Sequence, residues 1–583
     1  MLNNMNRYIA LSLICSSFLL GCNESKFLRE NPEDFMSTSN SFQTETDFNM
    51  SITGLYTQLR YEFYGYDESK PFDYIYGTDL IYDGEPGTYT RHGNMLAGYD
   101  PTSNIPRIHW NNLYRLVSES NTIMDRVEVA DLPEEKKNQF RAKARFFRGF
   151  AFRTLAYLYG GVPLELHEVL LPKTDYVRST RKETLEQAKN DVLFAAETLP
   201  DIVSVRDGEI SSAAAYHLLS EIYLALDMNE EAVEAATKVI DNPALELMRN
   251  RFGSRAAEEP RDVYWDLFRR NNQNRSAGNT EGIWVIQFET DLPGGGSSTT
   301  DLKVTGNYML ERNCCPQVRD VVIKKEGIKY NPFSYPIGDY SGGRGIGWGI
   351  STKYFTNTIW EDDFNGDMRN ANHNFVRQFE VHNPDVKALG IEYINVDHLP
   401  DGVEVIVGPG NLTTVPGRYL YAYQSKCTTP YNHPDELYED KATYKLKNIA
   451  GTTYTDQYMF RLAETYLLRA EAYLKLDKKD LAAADINEVR GRAHATPVRE
   501  DQVDMDYILD ERMRELGVEE KRRLTLMRTG LLYDRVMKCN PYYANPETNG
   551  DGVGMQEHYN LWPIPQSVIE ANSDAIIEQN PGY

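Results

Sequence analysis

One acidic loop near the C-terminus has the residue types and spacing of a calcium ligand set. In the stretch "ETNGDGVGMQEH", Glu547, Asn549 and Asp551 alternate and come just before Gly552. Alternating oxygen ligands beside a glycine are typical of a calcium-binding loop, which also needs a bidentate glutamate at its end. His558 stands at that end position instead. We therefore expect an Asx-rich turn here, with calcium as the alternative and no other metal or cofactor.

The rest of the chain lacks the motifs that usually carry catalysis. It has no HExxH, P-loop or GxSxG sequence. The glycine-rich run Gly342–Gly349 has neither the preceding strand nor the following helix that a phosphate-binding loop needs. The 86 Asp and Glu residues are so numerous that their spacing selects no glycosidase site. Four histidines near the loops have no nucleophile motif and are expected on the surface or in packing contacts: His92, His109, His373 and His433. The sequence therefore favours a protein that is not an enzyme.

The composition points to an amphipathic ligand and away from nucleic acid. The chain has 39 Tyr, 22 Phe and 6 Trp in 583 residues. A tyrosine ring offers a flat apolar face and a polar tip, which suits sugars, although core packing is the expected role of most of these residues. The formal net charge of −24 argues against nucleic acid, because phosphate binding needs a basic surface. It also disfavours a strongly anionic ligand unless a local basic patch reverses the charge.

The first segment has the layout of a secretory signal. Arg7 precedes an apolar run, Tyr8–Leu20, that is too short to span a bilayer. The string "LLGC", which ends at Cys22, resembles the lipobox of bacterial lipoproteins, where the chain is cut before the cysteine and its sulfur is acylated. We therefore expect a signal peptide over residues 1–21, a lipidated Cys22 and a flexible tether over residues 22–45. An ordinary secretory signal with a chance cysteine is the alternative.

Helical periodicity is strong in residues 46–250 and again in residues 451–583. Apolar residues spaced three and four apart predict a helix over His109–Val127 and a second that ends at Gly160. Two distant stretches then align without a gap. Tyr216–Val239 and Tyr466–Val489 each contain a helix, a polar turn and a second helix. This is the plan of the tetratricopeptide repeat, so we predict a mainly all-α protein whose helix pairs form a curved scaffold.

The middle of the chain, residues 251–450, has a different character. It is rich in Gly, Asn, Asp, Pro and Tyr and poor in helical periodicity. Glu281–Thr290 alternates like a strand, and Tyr393–Asn411 has the pattern of a small hairpin. We predict a loop-rich insert with a few short strands, carried on the helical scaffold and suited to binding.

Several segments resemble the SusD/RagB family. The C-terminal "PIP", Asn572 and the final "QNPGY" are similar to the closing signature of that family. Ala144–Leu164 resembles its long helix with a Gly-x-x-Pro-Leu ending, and Leu462–Leu476 resembles part of its last helix pair. Ile508–Gly530 resembles the Arg/Glu-rich segment before the final loop. These matches occur in order along nearly the whole chain.

The resemblance implies a cell-surface lipoprotein of the outer membrane. Such proteins bind nutrients, usually oligosaccharides, and cap a TonB-dependent transporter of the SusC/RagA type without catalysing a reaction. The family's ligand surface is built from loops that correspond here to Tyr61–Asn94 and Gly294–Tyr354. The candidate ligand-binding residues in these loops are aromatic or can form hydrogen bonds: Asp79, Tyr82, Asp83, Tyr89, Arg91, Tyr335, Tyr340, Arg344 and Trp348.

Trp348 is the preferred candidate, because glycines on either side leave its ring less covered. By contrast, Trp110, Trp265 and Trp284 lie in periodic segments and are expected in the core. Three alternatives remain at this stage. The cargo could be a peptide, as in RagB-like proteins, the chain could be a glycosidase on a helical frame, or it could be a structural lid that binds nothing itself.

Overall fold

A computed structural model describes residues 42–65, 70–84, 93–292, 294–299, 307–333, 337–548 and 554–583. The predicted signal peptide, Cys22 and most of the tether lie outside these residues. Within the described part, no helix combines the length and the apolar character that crossing a bilayer requires.

The N-terminal region is a series of long helices in which each helix packs against the next. In chain order these helices are α1 Glu45–Tyr64, α2 Asn104–Val129, α3 Glu134–Tyr159, α4 Arg181–Thr198, α5 Ser212–Ala225 and α6 Asn229–Ile240. α2 packs on α3, α3 on α4, α4 on α5 and α5 on α6. α3 is buried on several sides, as its wide apolar stripe predicts. Trp284 packs among its phenylalanines, and Trp110 and Trp265 are also buried, which confirms that all three belong to the core.

The two aligned repeats become neighbours in one stack. The second copy forms α7 (Leu462–Lys475) and α8 (Lys479–Arg492), and α7 packs against α6 of the first copy. The alanines that face the partner helix are fully buried in both copies, for example Ala236 and Ala482. Small side chains let paired helices approach closely, so the sequence spacing does produce tetratricopeptide-like pairs. The predicted all-α class and helical scaffold are therefore confirmed.

Short helices and strands make up most of the rest. C-terminal to the repeats lie α9 (Met505–Glu515), α10 (Arg522–Thr529) and α11 (Leu532–Cys539). Helices of four to six residues occupy Met95–Gly98, Val263–Leu267, Leu310–Cys314, Lys353–Thr356, Pro384–Lys387, Pro541–Ala544 and Gln566–Ala571. The strands are β1 Ile81–Asp83, β2 Gly282–Ile286, β3 Ile323–Lys325, β4 Ile328–Tyr330, β5 Gly349–Ser351, β6 Phe375–Val376, β7 Gln378–Glu380, β8 Tyr393–Asn395, β9 Glu404–Val405, β10 Gly410–Asn411, β11 Val415–Pro416, β12 Tyr423–Gln424, β13 Tyr438–Asp440, β14 Lys445–Leu446 and β15 Gln457–Arg461.

The predicted hairpin over Tyr393–Asn411 is wrong. Its first arm, β8, pairs with β7, and its second arm, β9, pairs with β3. Each arm buries one aliphatic side chain, Ile394 or Val405. Such short arms have little preference of their own for a pairing partner. Each arm therefore pairs with the strand beside which its aliphatic side chain is buried. The alternation in Glu281–Thr290 correctly predicts a strand, although the strand itself, β2, covers only residues Gly282–Ile286 of this range.

Buried ion pairs join the insert to the repeats. Glu515 on α9 accepts hydrogen bonds from Arg461 at 2.6 Å, from Arg369 at 3.0 Å and from Arg492. None of these four side chains is exposed. Arg369 belongs to the insert, whereas Arg461 and Arg492 belong to the repeat region. The Arg/Glu-rich segment therefore acts as a buried connection between the two regions.

The closing segment is fixed by side-chain amides. The Asn580 Nδ2 donates to the carbonyl oxygens of Tyr159 at 2.9 Å and Trp562 at 2.7 Å. The Gln579 amide bonds both to the N–H and to the carbonyl of Ile564. Asn572 bonds in the same way to the backbone of Tyr176. These amides satisfy backbone groups at the end of α3, at Tyr176 and in the C-terminal segment itself, which gives a physical reason for asparagine and glutamine at these positions.

Candidate functional site

The two predicted ligand loops meet in the structure. β1, in the N-terminal loop, pairs antiparallel with β5, in the insert, so that Tyr82 lies opposite Ile350. The Gly84 N–H continues this ladder by donating to the Trp348 carbonyl at 2.7 Å. Two stretches more than 250 residues apart thus form one surface, with Trp348 at its edge.

A row of glycines fits the segment before β5 closely against the protein. A Cβ at these positions would collide with the atoms beneath: 2.2 Å from the Glu311 carboxylate for Gly343, 2.3 Å from the Pro316 carbonyl oxygen for Gly345, 2.4 Å from the Arg418 carbonyl oxygen for Gly347 and 2.6 Å from the Asn313 Oδ1 for Gly349. Real Cβ atoms do not approach so closely. Glycine is therefore needed at every second position because the backbone lies directly on its neighbours.

The residues between these glycines are less buried than the glycines. Arg344, Ile346 and Trp348 are partly exposed, whereas the glycines that alternate with them are buried. We call these three residues the outer ridge. A fully extended chain rises about 3.3–3.6 Å per residue, so the Cα atoms of Arg344 and Trp348 are at most about 14 Å apart. The ridge thus brings Arg344, Ile346 and Trp348 together within one short segment, in which the Nε and Nη1 atoms of Arg344 are buried.

A buried charged cluster lies directly under the ridge. Glu311 accepts a hydrogen bond from the Arg344 N–H at 2.8 Å and contacts the His433 Nε2 at 2.7 Å. The other ring nitrogen of His433 contacts Asp339, which also accepts from the Tyr438 hydroxyl. We call Glu311, His433, Asp339 and Tyr438 the His433 cluster. Burial alone would lower the pKa of His433, but the carboxylates of Asp339 and Glu311 raise it to about 10.

The sequence did not indicate this role for His433. It is fully buried and charged at neutral pH, and its partners come from segments more than 90 residues away. His109 is held in a similar way, between Glu62 at 2.5 Å and Asp73 at 2.9 Å. Both histidines are packing residues, as expected, but they pack as ion-paired groups: His109 joins a loop to the helical scaffold, and His433 joins separate segments of the insert.

Asp79 and Tyr82 differ from the expectation of ligand contacts. The Asp79 carboxylate is buried and accepts from Arg522 at 2.7 Å and from Arg535 at 3.0 Å. Burial opposes ionisation, but these two guanidinium groups lower its pKa. The Tyr82 ring is buried and stacks on Tyr542, with ring centroids 5.0 Å apart. Because their polar atoms already have partners inside the protein, we leave both residues out of the proposed site.

The other predicted residues are placed as follows. Asp83 is buried, and its N–H donates to the Tyr543 hydroxyl at 3.2 Å. Tyr340 lies in the turn Asp339–Ser341, directly before the glycine row, but its side chain is outside the described part. Tyr89, Arg91 and Tyr335 lie outside the described residues as well.

The candidate calcium loop is described only in part. Glu547 is exposed, and its N–H donates to the Asn545 Oδ1 at 3.0 Å, which makes an Asx turn. Asn549 and Asp551 are not among the described residues. Elsewhere in the described ranges, no three His, Cys, Asp or Glu side chains are grouped so that they could hold a metal ion.

Sequence reasoning missed a third segment of this surface. The hairpin of β10 and β11 lies beside the N-terminal loop, where the Tyr82 hydroxyl donates a hydrogen bond to the Pro416 carbonyl at 2.7 Å. Arg418 follows the hairpin, and its backbone carbonyl lies directly against Gly347. Arg418 and Tyr419 are both partly exposed, and the guanidinium lies 5.5 Å from the Tyr419 ring centroid. The glycines and the two prolines of "GPGNLTTVPG" indicate a turn, but no local signal in the sequence indicates that this turn lies beside the N-terminal loop.

Two sizeable cavities in the described part lie elsewhere. One of about 610 Å³ is bounded by the 202–209 and 274–276 loops, and one of about 470 Å³ lies along α2 between Trp110 and Asn121. No predicted ligand residue lines either cavity. The candidate site is therefore separate from both of these cavities.

Two family models and several known proteins match this chain. Residues 417–583 match the model of the SusD family, and residues 26–224 match the model described as "Starch-binding associating with outer membrane". SusD-like protein P25 of Formosa agariphila is 24% identical over 100% of this chain and 99% of its own. The starch-binding protein SusD of Bacteroides thetaiotaomicron is 36% identical, over 24% of each chain.

Solved structures share the fold at low sequence identity. A laminarin-binding SusD-like protein has a TM-score of 0.63 at 18% identity, over 93% of this chain and 100% of its own. Surface glycan-binding protein A from Bacteroides thetaiotaomicron, in complex with laminarihexaose, has a TM-score of 0.63 at 18% identity, over 92% of this chain and 99% of its own. At this identity the likeness concerns the fold.

Proposed function

Because the chain belongs to the SusD/RagB family, we propose that it is a cell-surface glycan-binding protein that holds oligosaccharides against the outer ridge. One observation carries the proposal. A partly exposed tryptophan stands on a backbone fixed by glycines, where the N-terminal loop and the insert meet. Relatives described as starch-binding and laminarin-binding support sugar as the class of ligand.

The chemistry of the ridge suits a sugar ring. The C–H face of a sugar is apolar and can lie on the indole of Trp348, where buried apolar area contributes roughly 25 cal/mol per Å². Polar groups beside it orient the hydroxyl rim. An open ridge of this size supports micromolar to millimolar binding, about 4–8 kcal/mol, which allows the cargo to be released.

We further propose that the protein captures its ligand without cleaving it. The relatives are named for binding, and the sequence contains no motif of nucleophilic, phosphoryl-transfer or zinc-dependent hydrolytic chemistry. The role that follows is delivery to a TonB-dependent transporter of the SusC type, from a body anchored through Cys22 to the outer face of the outer membrane. The family description that mentions outer-membrane association supports this location.

Trp348→Ala tests the proposal directly. The full-length protein in detergent is run through native gels containing starch, laminarin and other glycans, with a peptide mixture as a competitor. We expect retention by at least one glycan, and at least tenfold weaker retention for the variant, because most of the apolar contact is lost. Tyr393→Ala is the matched control, since Tyr393 is an aromatic residue that is 49% exposed elsewhere on the insert.

Three results would contradict the proposal. Unchanged retention of Trp348→Ala would remove Trp348 from the site. Displacement of the glycan by peptides would favour peptide capture. Release of sugars from a polysaccharide by the purified protein would make it an enzyme.

A further inference from the structure

We propose that the thiols of Cys314 and Cys427 join in a disulfide that fastens the segment under the outer ridge to the segment Ser425–Cys427. The inference goes beyond the proposed function and rests on one part of it, the export of the chain to a compartment where disulfides persist. Both cysteines are free and buried in the structure, and their placement favours this modification.

The two thiols meet although they are far apart in the sequence. Cys314 ends the short helix Leu310–Cys314, and Cys427 ends the single helical turn Ser425–Cys427, more than 100 residues later. These two elements lie side by side, and the thiols of Cys314 and Cys427 are in hydrogen-bond contact. A disulfide needs two cysteines whose side chains approach each other closely, so this pair can form the bond with little movement of the backbone.

The adjacent Cys315 is a poorer partner for Cys314. Neighbouring Cα atoms lie about 3.8 Å apart across a trans peptide, whereas the Cα atoms of bonded cysteines are usually about 4.4–6.8 Å apart. A bond between Cys314 and Cys315 would therefore strain the backbone. The Cys315 carbonyl oxygen also lies against the glycine row, 2.5 Å from where a Cβ on Gly345 would be, so distortion of this peptide would displace the ridge.

The disulfide connects the ridge to the helical frame. Asn313, next to the first thiol, lies under Gly349 of the glycine row. Lys426, next to the second thiol, donates to the carbonyl oxygen of Leu516 at 3.0 Å, at the end of α9. A covalent bond between these two segments therefore ties the glycine row to the frame. It also closes a loop of more than 100 residues, which restricts the unfolded chain and so stabilises the folded one.

The chemistry is an exchange with a thiol oxidant. The two cysteines lose two protons and two electrons and form one S–S bond, and the disulfide of a protein oxidoreductase or of oxidised glutathione takes them up and becomes two thiols. Burial raises the pKa of the Cys427 thiol, and the Cys314 thiol beside it raises the pKa further, so few thiolates form in the folded protein. The bond is therefore made while the chain folds, and burial then protects it from reductants.

Peptide mapping of the full-length protein tests the inference. The chain is exported with its own signal, purified from membranes in detergent and denatured in N-ethylmaleimide, which blocks free thiols. Trypsin then releases Asn313–Arg319, which contains Cys314 and Cys315, and Cys427–Lys441. We expect the two peptides to be joined, lighter by two hydrogens than their sum and carrying one blocked thiol. Reduction should separate them.

Substitutions identify the partner, because Cys314 and Cys315 share one peptide. Cys314→Ala should abolish the joined species, whereas the matched control Cys315→Ala should keep it. In urea unfolding, a phosphine reductant should lower the midpoint for the wild type and for Cys315→Ala, because the closed loop is opened. The midpoint of Cys314→Ala should not respond to the reductant.

Three results would overturn the inference: blocked thiols at both Cys314 and Cys427, a bond between Cys314 and Cys315, or a joined species that persists in Cys314→Ala. None of these measurements depends on a glycan. Retention of starch or laminarin by a protein with blocked thiols would remove the disulfide and leave the proposed function standing. A joined species in a protein that retains no glycan would support the disulfide while glycan binding fails.

Discussion

The helical frame, residues 46–250 and 451–583, and the insert, residues 251–450, are held together by different forces. In the frame, apolar helix faces pack on one another, and buried ion pairs join their ends. In the outer ridge of the insert, the backbone lies directly on backbone and side-chain atoms of neighbouring segments, and one charged cluster supports the loop from below. The position of the ligand-facing residues therefore depends on close contacts that a single added methyl group would disturb.

The largest expected effect comes from breaking the ion network that joins the two regions. Glu515→Gln removes the charge that three buried arginines share. Breaking a buried ion pair by removing one partner typically costs about 3–5 kcal/mol, because the remaining charge stays buried. We expect a loss of this size in the free energy of unfolding, measured by urea denaturation.

Asp501→Asn is the control for this change. Asp501 pairs with Arg499 on the surface, and their side chains are 67% and 68% exposed, so we expect no measurable change in the free energy of unfolding. Equal effects of the two substitutions would mean that the buried network does not join the regions.

A smaller effect on stability is expected from filling the space under the ridge. In Gly345→Ala, the new methyl group would meet the Pro316 carbonyl oxygen, and such overpacking costs about 1–3 kcal/mol. The ridge should shift, so glycan affinity should fall at least tenfold while the frame remains folded by circular dichroism.

Gly54→Ala is the opposite case in the frame. Nothing lies within 4 Å of the new methyl group, and Gly54 is inside α1, so this change should stabilise the protein by about 0.5–1 kcal/mol.

Full glycan binding by Gly345→Ala would show that the glycine row does not position Trp348.

A further expected effect is the pH dependence of the His433 cluster. The folded pKa of His433, about 10, lies above its ordinary value of 6.5. Its contribution to stability is therefore complete below pH 6.5 and is lost as the pH rises toward 10, on the order of 1 kcal/mol per pH unit. His433→Gln should make the stability curve flatter over this interval. A slope equal to that of the wild type would contradict the assigned charge on His433.

The same contrast explains what the sequence could predict. The frame has periodic apolar spacing and an internal repeat, and both are local signals, so the helix pairs and the buried tryptophans are predicted correctly. The insert has few local signals. The arms of the predicted hairpin pair with other strands, and Arg418 becomes a neighbour of Gly347 only in the folded chain.

Within the candidate site, the partial exposure of Trp348 is the feature for which the sequence has a local signal. Alternating glycines indicated that Trp348 would be uncovered, and the structure leaves its side chain partly exposed. Asp79 and Tyr82 were less predictable, because their partners, Arg522, Arg535 and Tyr542, lie more than 400 residues away. A polar or aromatic residue in a loop shows its chemistry in the sequence, but its partner depends on the tertiary fold.

A crystal structure of the full-length protein with a bound oligosaccharide tests the central claim most directly. The account predicts a sugar ring lying flat on the indole of Trp348, with the glycosidic bonds intact and the glycine row unmoved. An oligosaccharide bound in the groove along α2, with the Trp348 ring facing only solvent, would contradict it.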